Sequence, residues 1–96
     1  MYIRVSTETA TVEDLQNLHR LHVELDGVDD RTGAGALVAA GLGTLDGDHA
    51  WLPIPALRAA GADTGTWPAD FDTMIAYART QGWVDGDRVR AHVVRS

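Results

Sequence analysis

Apolar and polar positions alternate at the start of the chain, with Ile3 and Val5 on one side and Tyr2 and Arg4 on the other. Period two marks a strand with one buried face, and a strand is predicted over 2–6. The spacing then lengthens. Leu15, Leu18, Leu21 or His22, and Leu25 recur every three to four residues, behind Thr11 at an N-cap position and Glu13 and Asp14 in a first turn. An amphipathic helix is therefore expected over 12–25, ended by Asp26-Gly27. Asp29-Asp30-Arg31-Thr32 opens a second helix over 31–42, with a stripe of Ala34, Leu37, Val38 and Gly41. Gly33 and Gly35 each weaken a helix by up to ~1 kcal/mol, so its first turn is either frayed or tightly packed.

A short pattern then occurs twice, thirty-nine positions apart: Gly43-Thr44-Leu45-Asp46-Gly47-Asp48 and Gly82-Trp83-Val84-Asp85-Gly86-Asp87. Each copy follows an apolar, alanine-containing run and reads as a helix stopped by glycine and then a tight hairpin. Cross-strand matching selects the register. With Gly86-Asp87 as the central pair of a type II′ turn, Asp85 faces Arg88, Val84 faces Val89 and Trp83 faces Arg90, which sets like against like. The same rule pairs Leu45 with Ala50 and Thr44 with Trp51.

One hairpin face then carries Leu45, Ala50, Leu52, Ile54, Val84, Val89, Ala91 and Val93, a core surface for the helices. The other carries His49, Trp51, Trp83, Arg88, Arg90 and His92. Extended backwards, the repeat puts the stripe Phe71, Met74, Ile75 and Ala78 onto Thr32, Gly35, Ala36 and Ala39, so duplication would need a slip of about two residues. Reuse of a local motif is the simpler reading.

Between the copies, Pro53 and Pro55 place a strand at an edge or stop it there. Pro55 starts a short helix over 56–60, closed by Gly61. Residues 61–66 are loop-like. A further helix is expected over 68–81, with Pro68 in its first turn and Phe71, Met74, Ile75 and Ala78 on one stripe. The expected class is α+β, a single compact domain over 1–96 in β-α-α-β-β-α-α-β-β order, with the two Asp-Gly-Asp hairpins packed on helices.

Length and composition narrow the function. Ninety-six residues with 45% hydrophobic content fit one domain without staples. Absence of cysteine excludes disulfides, thiolate ligands and cysteine nucleophiles. No apolar run approaches the ~20 residues of a membrane helix, and no basic, apolar leader follows Met1, so a soluble cytoplasmic chain is expected. The net charge is −6, with eight arginines and no lysine, a balance that argues against general binding of phosphate backbones. The Ala, Gly, Asp, Arg and Val bias is what a GC-rich coding sequence of bacterial type produces.

Catalytic candidates are weak. Serine occurs only at Ser6 and Ser96, no phosphate loop is present, and the carboxylate pairs Asp29-Asp30 and Asp70 with Asp72 read as helix-terminus acids. The Asp-Gly-Asp turns lack the twelve-residue ligand spacing of a calcium loop. His19 and His22 lie three residues apart on the expected first helix, where a metal would need a third ligand from Glu24, Asp26, His49 or His92. No metal, cofactor or catalytic set is assigned.

Tryptophan and arginine dominate binding hot spots. The expected function is accordingly a protein–protein interaction module, not an enzyme, whose contact residues are Trp51, Trp83, Arg88, Arg90 and His92. Helix, helix and hairpin in succession offer an alternative, a winged-helix-like DNA-binding domain, though its recognition helix would present Arg31 alone. Monomer and homodimer both stand.

Overall fold

A computed structural model describes residues 1–18 and 20–95; His19 and Ser96 lie outside the described residues. In chain order the elements are β1 (Tyr2–Val5), β2 (Ala10–Glu13), β3 (His22–Leu25), α1 (Asp30–Ala39), β4 (Thr44–Asp46), β5 (His49–Pro53), α2 (Ile54–Ala60), α3 (Trp67–Thr80), β6 (Val84–Asp85) and β7 (Arg88–Arg95). The α+β class read from the sequence holds. Among the described residues no helix is long and apolar enough to cross a membrane.

The strands form one mixed sheet in the order β2-β1-β3-β7-β5-β4. β1, β3 and β7 run parallel, while β2, β4 and β5 pair antiparallel to their neighbours. β5 occupies one edge of β7 over residues 88–92, so β6 shares the other edge with β3. Inward side chains Ile3, Val5, Val23, Leu25, Ala50, Leu52, Val89, Ala91 and Val93 join Leu37, Leu57, Trp67, Phe71 and Ile75 of the helices in one buried cluster. The helices therefore cover one face of the sheet. The other face is left open.

The segment 12–25 is not a helix. Asp14 takes a positive φ of 52° and begins a turn in which the Asn17 amide donates to the Asp14 carbonyl, and residues on either side pair as β2 and β3. Leu15, Leu18 and Leu21 still pack against the core, from a loop. That loop is held by the Trp67 indole, whose Nε1 donates to the Leu15 carbonyl at 2.6 Å, and by the Met1 ammonium, which donates to the Asn17 and Arg20 carbonyls. Burial of leucine is non-directional and leaves the backbone choice to other forces; here the strands win by pairing with partners remote in sequence. The expected first helix is thus missing ahead of α1, so the winged-helix order does not form where it was expected, whereas α2, α3 and the β6–β7 hairpin do follow one another in that order.

Both glycine caps are Schellman motifs, with paired bonds returning from the residues after the helix to its last carbonyls. After α1, the amides of Gly41 and Leu42 donate to Val38 and Leu37; after α3, those of Gly82 and Trp83 donate to Arg79 and Ala78. The stop of α1 is thus Gly41, at φ +69°, and not Gly43. Gly43 has a separate role. A Cβ there would lie 2.1 Å from the Trp51 carbonyl oxygen.

The hairpin registers match the expectation: Leu45 faces Ala50, Thr44 faces Trp51, Val84 faces Val89 and Asp85 faces Arg88, with the Arg90 amide donating to the Trp83 carbonyl. β5 stops at Pro53 and lies inside the sheet, not at an edge. Bonds from Ile54 to Asp87 and from Val93 to Asp48 direct the even positions of β5 toward β7, so position 53 points toward β4, which begins opposite Trp51. No ladder bond is lost to proline there.

The three helices begin at Asp30, Ile54 and Trp67, one or two residues ahead of the expected 31, 56 and 68. Asp29 caps α1 by accepting the Thr32 amide at 2.7 Å, a bond that also lowers the carboxyl pKa. Gly33 is buried, and a Cβ on it would meet Leu25 at 2.8 Å, so the first turn of α1 is tightly packed.

Candidate functional site

The open face of the sheet collects side chains from six strands. Register alone aligns Glu13, Tyr2, His22, His92, His49 and Asp46 in one continuous row from β2 to β4. Alternation places them there, because their chain neighbours Val12, Ile3, Val23, Ala91, Val93, Ala50 and Leu45 point at the helices. Within the row the Tyr2 and His22 rings stack at 5.0 Å, and the His49 and His92 rings meet edge to face at 6.0 Å. The His22 Nε2 lies 3.9 Å from Glu24.

Beside the row on one side, Trp51 faces Arg90 and Pro53 faces Arg88. The Arg88 guanidinium sits 5.6 Å from the centroid of the half-buried Trp51 ring and 3.8 Å from Asp85. On the other side lie Arg4 and Glu24, with Arg4 3.6 Å from Asp26. Arg90 has no ion-pair partner among the described residues. The face thus combines a planar indole, a stacked Tyr–His pair and guanidinium groups on a rigid sheet, a set suited to aromatic and charge-assisted contact with a second surface.

Of the residues singled out from sequence, Trp51, Arg88, Arg90 and His92 come together here. Trp83 does not join them. Its ring meets Tyr77 of α3 at 6.1 Å and an interplanar angle of 73°. As the second residue past the cap of α3, it makes the apolar return contact that accompanies a Schellman motif. Trp83 is 38% exposed and Tyr77 60%. Both line a groove of about 580 Å³ between α3 and residues Gln16, Leu18 and Leu21, whose walls also include Met74 and Arg90.

Tyr2, Arg4, His22 and Glu24 belong to the face but were not assigned to it. Reading 12–25 as a helix kept His22 and Glu24 off the sheet, although His22-Val23-Glu24-Leu25 alternates as a strand should, and nothing in the strand at 2–6 showed that it joins the hairpins. The pairing of His22 with His19 on a helix has no counterpart, since His22 is on β3 and His19 lies outside the described residues. Among the described residues, no three His, Asp or Glu side chains converge at metal-ligand spacing.

The remaining acid pairs have structural partners. Asp30 accepts two bonds from Arg95 at 2.9 Å, which holds its carboxyl below the usual range. Arg95 also donates to Asp48 and to the Gly47 carbonyl, tying the first hairpin turn to the start of α1, and its own pKa is raised, chiefly by the bond to Asp30 and less by Asp48. Asp72 binds Arg58 at 3.0 Å, joining α3 to α2, and is lowered by that bond. Comparison with protein-family models, with curated proteins and with solved structures finds no match, so the site stands on its own geometry.

Proposed function

We propose that the chain is a protein–protein interaction module that contacts its partner through the open sheet face, centred on Trp51, Arg88, Arg90 and His92. The observation that carries this reading is the uncovered side of a sheet whose opposite side is fully packed. On that side an indole of β5 has a guanidinium over it and faces a second arginine free of ion pairing among the described residues. Tryptophan and arginine in this setting supply large contact area and directional donors at little entropic cost, because the strands already hold them. Tyr2 and His22 extend the same surface towards β1.

Affinity capture from the source lysate tests the reading, with parent, Trp51→Ala and Arg90→Ala chains compared and folding checked by far-UV circular dichroism. A partner retained by the parent should be lost from both variants, each weakened about tenfold or more. Identical capture by parent and folded variants, or no capture by the parent, overturns it.

A further inference from the structure

We propose that His49 and His92 form a two-histidine site for a divalent transition-metal cation on the open sheet face. This inference goes beyond the interaction reading and does not depend on it. The two residues face each other across β5 and β7. The Val93 amide donates to the Asp48 carbonyl at 2.9 Å, which makes the flanking positions 48 and 93 a hydrogen-bonded pair. Positions 49 and 92 are therefore a non-hydrogen-bonded pair, the type in which facing side chains approach most closely.

Their rings are already near the separation that a shared ion requires. The centroids are 6.0 Å apart with an interplanar angle of 76°. With each nitrogen at about 2.0–2.1 Å from the cation, two imidazoles on one ion have centroids about 5–6 Å apart. Neither ring has a hydrogen-bond or ion-pair partner among the described residues, so no existing bond must break. Asp46, opposite His49 on β4, adds negative charge beside the pair, whereas Arg90, two positions along β7, opposes it.

His22 is the other neighbour of His92, but its ring stacks on Tyr2 and its Nε2 is near Glu24. Since no three ligands converge, the site is bidentate and water completes the coordination. Imidazole pairs suit Cu²⁺, Ni²⁺ and Zn²⁺, with Cu²⁺ bound most tightly.

Calorimetric titration of the tag-free chain with CuCl2 and with ZnCl2, in a non-chelating buffer, tests the site. One Cu²⁺ per chain is expected, bound more tightly than Zn²⁺. Because the second ligand acts at high effective concentration, His49→Gln and His92→Gln should each weaken Cu²⁺ about tenfold, and His22→Gln by less than about twofold. A loss below fivefold in either of the first two, or an equal loss in His22→Gln, overturns the proposal. A mutation-free readout accompanies these: substoichiometric Cu²⁺ should broaden the imidazole resonances of His49 and His92 in the parent before any others. Broadening led by another residue overturns the proposal equally.

Discussion

Both helix-to-hairpin units leave their helix through the same kind of glycine cap, at Gly41 and Gly82, yet Gly41 to Gly47 is a step of six and Gly82 to Gly86 a step of four. In the second unit Trp83 follows the cap directly and already accepts the Arg90 amide, so helix, cap and ladder are continuous. In the first unit two extra residues intervene. Leu42 turns into the core, and Gly43 passes under the Trp51 carbonyl before β4 begins. One local signal thus serves two insertions, a short strand that shares an edge of β7 with β3 and an edge strand beyond β5. The caps are therefore forty-one residues apart while the turns are thirty-nine apart, a shift opposite in direction to the slip that the expected stripe would have needed.

Substitutions can separate what the units share from what they do not. Gly43→Ala should have the largest effect, about 3 kcal/mol, because a Cβ would collide with backbone at a φ of +125°. Chemical denaturation measures it, and a loss below about 1 kcal/mol would show that the detour is not tightly held.

The shared positions should behave as equals. Gly41→Ala and Gly82→Ala, and likewise Gly47→Ala and Gly86→Ala, are expected to cost about 1 kcal/mol each, since all four have positive φ and open space around the added methyl. Unequal costs within either pair would break the equivalence of the caps or of the turns. Smaller still is the link between the units, where Arg88 of the second lies over Trp51 of the first. A double-mutant cycle on Trp51→Ala and Arg88→Ala should give a coupling of about 0.5 kcal/mol.

The least effect attaches to the first unit's extra tether, Arg95 with Asp30 and Asp48. The Asp30 carboxyl pKa is lowered in the fold, chiefly by the Arg95 hydrogen bond. Its stabilisation is complete above the unfolded carboxylate value of about 3.9 and is lost as pH falls through the lower folded value. Thermal melts from neutral pH to about pH 2.5 should therefore show the parent and Asp30→Asn converging only in acid. A gap that persists at the lowest pH would assign the effect to something other than this ion pair.

Much of the architecture was legible because it is local. Two-residue turns fix their own register, so pairing Val84 with Val89 and Leu45 with Ala50 required only neighbouring residues. The stripe of Phe71, Ile75 and Ala78 sits buried on α3, one residue from its expected start. The segment 12–25 was misread because β2 and β3 are four residues each, too short for period two to outweigh leucines at helical spacing. Their pairing energy comes from β1 and β7, of which β7 is some seventy positions away from β3. Trp83 was placed by strand parity alone, although its position just past a glycine cap carried the signal that its ring returns to the helix.

Residue order by itself determined the caps, the turns, the hairpin registers and the division of β5 and β7 into aliphatic and aromatic or charged faces, because each depends on interactions within a few residues. Only the tertiary structure decided that β1 and β3 join those hairpins and bring Tyr2 and His22 into line with His92 and His49. That alignment depends on hydrogen bonds between segments remote in the chain, whose choice of partner is made by burial of a common core and is not written in any one window of residues.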